Sequence, residues 1–199
     1  MVRDQFQFDP IEVAVGESPS LPEAMACGDR PLHVEIGFGK DIRVLRMAER
    51  EPGACFLGVE ISRKKSVKFG HKVARLGLRN IRNYWGDARK VLAEMLPEDS
   101  VTSFTVLFPD PWPKRKHHKH RWIHEDTALL LRRALKPDGH LIVATDHDGY
   151  RDHIRKVLGL AGFVETMTLD DVPEADRTLF SERFRKIGES ITYMRWDLA

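Results

Sequence analysis

Cysteine is nearly absent from this chain: only Cys27 and Cys55 occur, with no CxxC spacing and no disulfide framework, so reduced thiols and a cytoplasmic location are the expectation. Long hydrophobic runs are missing too. The apolar stretches are strand-sized, far below the roughly 20 residues that span a bilayer. Residues 1–10 carry Asp4 and Asp9 and no apolar core, so neither a membrane segment nor a secretory signal is expected. A large net charge is lacking as well. The 32 basic and 30 acidic side chains leave +2, which says little about partners. No internal repeat or low-complexity tract is visible. A chain of 199 residues with 42% hydrophobic content supplies one substantial core, so residues 31–199 are expected to form a single domain behind an N-terminal arm, residues 1–30.

What is present is unevenly distributed charge. The arm holds six acids (Asp4, Asp9, Glu12, Glu17, Glu23, Asp29) against Arg3 and Arg30, and residues 165–176 hold five acids and no base. Positive charge gathers instead at residues 63–82 and 114–121, where a local basic field can form despite near neutrality overall. From Pro31 the chain alternates between short apolar runs and helical patterns. Strands are predicted over 32–36, 55–59, 81–85, 101–108 and 140–144, and helices over about 42–50, 62–76, 88–95, 125–135 and 150–161. That alternation predicts βαβ crossovers and a Rossmann-like α/β fold, a mostly parallel sheet with helices on both faces. Strand-like alternation at 163–169 and 191–197, around a polar, acidic connection, predicts an antiparallel end to the sheet. Lys136-Pro137-Asp138-Gly139 predicts a turn before its strand.

Glu35-Ile36-Gly37-Phe38-Gly39-Lys40-Asp41 follows the first strand and opens the first helix, where glycines let the backbone approach a ligand closely. The third glycine of a dinucleotide fingerprint is missing, since position 42 is Ile. Carboxylates beside a pyrophosphate repel it, whereas they suit the sulfonium and α-amino group of S-adenosylmethionine. The loop therefore favours a methyl donor over the NAD of an oxidoreductase. Glu60 ends the second strand, placed to accept from ribose hydroxyls. Asp87 ends the third, as a helix cap or an acceptor for an adenine amino group. Asp41 reads as a helix N-cap or first-turn acid. With Asp110, acids close four successive strands, a series that solvated surface acids do not account for.

Phe108-Pro109-Asp110-Pro111-Trp112-Pro113-Lys114 is locked by prolines that fix φ and remove donors, which excludes helix interior and central strand and sets Asp110 in a stiff loop. Trp112 reads either as a platform for an unpaired base or as a core plug. Lys114, Arg115, Lys116, Lys119 and Arg121 follow, suited to a polyanion. His117, His118 and His120 lack a cysteine or suitably spaced carboxylate, so no metal is expected. Lys64, Lys68, Lys72 and Arg75 form a basic helical stripe opposite Val67, Gly70 and Ala74, either a solvated face or a second RNA footprint.

Taken together these motifs resemble the bacterial tRNA (guanine-N7-)-methyltransferase family of class I methyltransferases, from about residue 32 to the C-terminus. The most specific piece is the Phe108 to Lys114 run with its basic continuation. Val34 to Lys40, Phe56 to Glu60, Gly86-Asp87-Ala88, Leu135 to Gly139 and Thr145-Asp146 support it. The resemblance implies transfer of a methyl group from S-adenosylmethionine to N7 of a tRNA guanosine, the variable-loop guanosine at position 46. It implies that Glu35, Gly37, Gly39, Glu60, Asp87 and Asp110 line the cofactor site, with Asp110 catalytic. Lys114 and Asp146 then contact substrate, and Lys116, His117, His118, Lys119, His120 and Arg121 interact with RNA. The family's Thr-x-x-Glu motif falls on Thr178-Leu179-Phe180-Ser181, where Ser181 replaces the glutamate and Glu182 follows, so Thr178 and either Ser181 or Glu182 are the expected substrate contacts. Two alternatives remain at this level: a methyltransferase-fold RNA-binding module without activity, and an NAD oxidoreductase.

Overall fold

In the computed structural model, which describes residue 25 and residues 27–40 and 43–199, the predicted alternation becomes a seven-stranded sheet of order β3-β2-β1-β4-β5-β7-β6. The strands are β1 (Leu32–Ile36), β2 (Cys55–Glu60), β3 (Ile81–Trp85), β4 (Val101–Leu107), β5 (Leu135–Thr145), β6 (Phe163–Leu169) and β7 (Thr192–Leu198). β1 to β5 are parallel, and β7 runs antiparallel to both of its neighbours, as its alternation predicts. The helices are α1 (Arg43–Arg50), α2 (Arg63–Leu76), α3 (Ala88–Lys90, widening into a π turn over Val91–Met95), α4 (Glu125–Ala134), α5 (Asp148–Leu160) and α6 (Leu179–Ile187).

Both sheet faces are covered. Leu32, Val34, Ile36, Leu57, Val59, Leu141 and Val143 share one core with residues of α3, α4 and α5, while Phe56 packs on the other face with Val44, Leu45, Phe69 and Val73 of α1 and α2. Period-2 alternation turns Glu35 to that second face, toward α1. β2 is buried throughout, as a central parallel strand should be. The predicted turn at Lys136 to Gly139 sits within β5 as an irregularity: Leu135 pairs with Val101 and His140 with Ser103, so four residues loop out against Thr102 alone.

Three expectations change. α6 lies inside the connection expected to be irregular. It buries only Ser181 of its own residues, so no apolar stripe announces it, although Thr178 and Gly188 cap its ends. On α2 the buried face is Ser66, Phe69, Gly70 and Val73, while Val67 and Ala74 lie exposed beside the lysines. Cys27 and Cys55 are paired as a disulfide, with Cα atoms 5.9 Å apart, which ties the buried end of the acidic arm to β2. The rest of that arm, and Asp41, lie outside the described residues. No helix among those described is long and apolar enough to cross a membrane.

His33, His140 and His153 are partly buried, and burial lowers the pKa of each below 6.5. The unfolded chain therefore takes up protons at a higher pH than the native one, and stability falls as pH drops below that value. Thermal melts at pH 8 and pH 5.5 are expected to show a lower midpoint in acid. His33→Gln, which keeps a side-chain amide able to hydrogen-bond the Ser103 hydroxyl now 2.7 Å from Nδ1, should shrink the difference.

Candidate active site

The strand order reverses between β1 and β4, and in open α/β sheets ligands bind at the carboxyl ends beside such a switch point. Gly37 and Gly39 leave β1 with φ of +74° and +62°, the left-handed region that disfavours side chains, so the loop turns tightly over the strand ends. Two cavities meet at this loop. The first, about 420 Å³, is lined by Glu35, Lys40, Lys65, Phe108, Phe180 and Arg183 among others, and the second, about 290 Å³, by Glu60, Asp87, Arg89, Lys119, His120 and Trp122; Gly37 borders both.

The strand-end acids are not bare. Glu35 is buried and accepts from Arg43 Nη1 at 2.9 Å, while Arg43 Nε donates to Asp176 at 2.9 Å, and the Tyr193 hydroxyl donates to the other Asp176 oxygen. Burial and the Asp176 carboxylate together push the Tyr193 phenol far up. Glu60 is also buried. Its Oε2 accepts from Gly39 N and its Oε1 from Ser62 N, both at 2.9 Å, with Lys65 Nζ 3.6 Å away. It thereby stitches the glycine loop to the end of β2. Asp87 caps α3 through Arg89 N at 2.9 Å and is gripped by the Arg89 guanidinium, whose hydrogen bonds hold its carboxyl below the usual range. The cap is therefore formed, and Asp87 still lines the second cavity. Three of the four strand-end acids therefore carry a cationic partner from their own chain.

Asp110 differs. It is exposed, forms no ion pair among the described residues, and lines neither cavity. It is bracketed by Phe108 and Trp112, both non-glycine residues in the left-handed region, with φ of +52° and +44°. Such conformations cost on the order of 1 to 3 kcal/mol and collect at functional sites. Phe108, whose ring packs 4.8 Å from Phe180, lines the first cavity two residues before Asp110. Trp112 is 37% exposed and flanked by the His117 and His120 rings, so it is no core plug. Asp146 directly follows β5 and Lys114 lies seven residues beyond the end of β4; both are exposed, and neither lines either of the two cavities.

The basic segment divides. Lys116 is exposed, His117 and His118 half-buried, and Lys119 and His120 wall the second cavity. Arg121 is turned inward: it is buried, donates to Pro111 O at 2.9 Å and Gly149 O at 3.2 Å, and its guanidinium lies over the Tyr150 ring at 4.8 Å. Burial pushes the Tyr150 phenol up to about 12, so it stays neutral there. Arg121 thus pins the proline loop to α5. Arg121→Met is expected to lower the thermal midpoint, leaving two carbonyls without donors at about 1 to 3 kcal/mol. Lys116→Ala should leave the melt unchanged and reduce the salt dependence of polyanion binding, a contrast that melting curves and salt titrations read directly.

Thr178 lines the first cavity, and Ser181 does not. The Ser181 hydroxyl is fully buried and accepts from Thr178 N at 2.9 Å, while the Thr178 hydroxyl accepts from Ser181 N at 3.0 Å. Serine here fills the capping-box role that glutamate commonly plays. Glu182 faces Arg177 and Arg185 at 3.6 and 3.4 Å. Ser181 thus serves the helix cap, and Glu182 sits between arginines outside both cavities. Residues the sequence reading did not single out are Arg43, Lys65, Phe180 and Arg183; the arginine spacing on α6 was a usable signal for Arg183 only once that helix was recognised. Among the described residues no cluster of His, Cys, Asp or Glu is arranged to hold a metal.

A methyltransferase family model matches residues 29–192. The chain is 35% identical over 189 residues to a tRNA (guanine-N(7)-)-methyltransferase of Chromohalobacter salexigens, covering 94% of this chain and 77% of that one. It is 39% identical over 169 residues to the protein of the same name in Nitrosococcus oceani, covering 83% and 69%. The solved structure of a SAM-dependent methyltransferase from Aquifex aeolicus superposes with a TM-score of 0.61 at 13% identity, covering 90% of both chains, a likeness of fold.

Proposed function

The chain belongs to the tRNA (guanine-N7-)-methyltransferase family, and from that premise we propose that it transfers a methyl group from S-adenosylmethionine to N7 of the variable-loop guanosine at position 46 of tRNA, in the cytoplasm. The observation that carries the reading is Asp110, held between two left-handed aromatic residues at the end of β4, two residues beyond a cavity wall that faces the glycine loop.

The donor set fits the cofactor. The open backbone at Gly37 and Gly39 allows close approach, and Glu60 and Asp87 offer acceptor oxygens in the second cavity for ribose and adenine. Glu35 lines the first cavity, where a carboxylate suits an ammonium group. S-adenosylmethionine supplies an electrophilic methyl on sulfur. Guanine N7 carries an available lone pair, so no proton need be removed before attack, and no general base is required. What the chain contributes is alignment and electrostatics. Asp110 accepts from the guanine edge and offsets the positive charge that grows on the ring, Asp146 at the adjacent strand end serves the same edge, and Lys114 and Lys116 meet phosphates. Trp112 is exposed enough to stack on an unpaired base, worth roughly 1 to 3 kcal/mol.

Incubation of the protein with labelled methyl donor and unmodified tRNA, followed by nucleoside analysis, is expected to place the label in 7-methylguanosine at the variable loop. Label in another nucleoside, or binding of tRNA without transfer, would remove the reading.

A further inference from the structure

α2 carries six permanent cations, Arg63, Lys64, Lys65, Lys68, Lys72 and Arg75, and no acid. That arrangement opposes helix formation locally. Three of the cations crowd the first turn, where the macrodipole favours anions. Lys64, Lys68 and Lys72 follow at successive i,i+4 spacings, each like-charged pair costing about 0.2 to 0.5 kcal/mol. A helix that only needs a solvated face interleaves glutamates at those spacings. This one keeps the repulsion and concentrates it.

The lysines converge on a groove. Lys40 from the glycine loop joins Lys64, Lys65, Lys68 and Lys72 around an opening of about 320 Å³ whose floor includes Phe69. No carboxylate lines it among the described residues. Lys65 shares Glu60 at 3.6 Å, while Lys40, Lys64, Lys68 and Lys72 form no ion pair among the described residues. The floor is a firm one, since the Phe69 ring is buried and lies 4.3 Å from Phe38. Lysine stems lie along such apolar surface and keep their ammonium groups in water. Gly39, Lys40 and Lys65 line both this groove and the first active-site cavity, so the two openings are continuous.

We propose that this groove binds the phosphate backbone of the tRNA substrate as a second footprint, separate from the basic turn at Lys114 to Lys119. The inference rests on the tRNA methylation reading above. Lysines present point charges without the planar fork of arginine, and the groove offers no amide or carboxylate to read a base edge, which matches contacts that position a strand rather than recognise its sequence. Along α2 the helical rise sets Lys64, Lys68 and Lys72 about 6 Å apart, a ladder some 12 Å long. A strand whose nucleoside enters the first cavity leaves its flanking phosphates where that ladder begins. The Lys119 wall of the second cavity then lies on the other side of Gly37, so the two cationic surfaces bracket the reacting centre.

The test is a salt titration of tRNA affinity for the full chain and for Lys64→Ala/Lys68→Ala/Lys72→Ala, which spares Lys40 and Lys65. Each lost phosphate contact reduces the slope of log K against log salt by about 0.7 to 0.9, so the triple variant is expected to lose about 2 to 3 units of slope and, at 0.1 M salt, on the order of 100-fold in affinity. S-adenosylmethionine affinity and the single-turnover rate at saturating tRNA should stay at wild-type values. The triple Lys→Arg variant should restore the slope, because it keeps charge and changes shape. A wild-type slope in the alanine variant, with the wild-type protein methylating tRNA, overturns the groove and leaves the function standing. Equal losses in the alanine and arginine variants overturn it as well, since charge would not be the cause. A wild-type protein that neither binds nor methylates tRNA removes both readings.

Discussion

Asp110→Asn is expected to slow single-turnover methyl transfer by about 100- to 1,000-fold, the range found when one preorganised electrostatic partner of a transition state is removed, while S-adenosylmethionine binds with an unchanged Kd. The substitution keeps the shape of the side chain. It replaces one acceptor oxygen by a donor, which then faces a donor on the guanine edge, and it deletes the negative charge that offsets the cationic ring. Because Asp110 is exposed and forms no ion pair among the described residues, the fold loses little, and the melt should not move. Quench-flow rates with excess enzyme, alongside calorimetric cofactor titration, separate the two quantities. A variant with wild-type single-turnover rate would assign the charge work elsewhere, with Asp146 the next acid to test. The rate of the wild-type protein should also be insensitive to pH across neutrality, since N7 needs no deprotonation.

The second large effect is on stability. Arg43→Leu is expected to destabilise the protein by about 3 to 5 kcal/mol, since it removes the cation from a buried pair and leaves its acids behind. Glu35 and Arg43 are almost fully buried, and Asp176 is held by Arg43 on one side and by the Tyr193 hydroxyl on the other. For a chain of this size that corresponds to a fall in thermal midpoint on the order of 10 °C. The double variant Arg43→Leu/Glu35→Gln should recover part of the loss, because the buried charge goes with its partner. A melt within 2 °C of wild type for the single variant would mean that water reaches these carboxylates. The network also joins the glycine loop to the segment leading into α6, so the cofactor Kd is expected to weaken with the melt.

How far the sequence foretells this molecule varies by element. β1, β3 and β6 occupy the residues predicted, because a buried strand announces itself in a short apolar or alternating run bounded by turn residues. The loop at Gly37 to Gly39 and the rigid placement of Asp110 were legible for the same local reason: glycine and proline restrict or release φ at their own positions. α6 was not legible from periodicity, since Ser181 is the one residue it buries, although Thr178 and Gly188 marked its ends. Arg121 was indistinguishable from Lys116 as a run of cations, yet one supports the proline loop and the other faces solvent. The pairing of Arg43 with Asp176 crosses 133 residues and has no local signature at all.

The sequence by itself determined the alternating α/β order, the tight glycine loop, the stiff acidic loop and the density of positive charge along α2, because each follows from conformational limits and spacing within a few residues. Only the tertiary structure decided which charges are already partnered. Glu35, Glu60, Asp87 and Arg121 find their partners within the chain, while Asp110 and Lys64, Lys68 and Lys72 of α2 form no ion pair among the described residues. The physical reason is range: backbone preference acts between neighbours, whereas a charge is neutralised by whatever the folded sheet brings within a few ångströms of it.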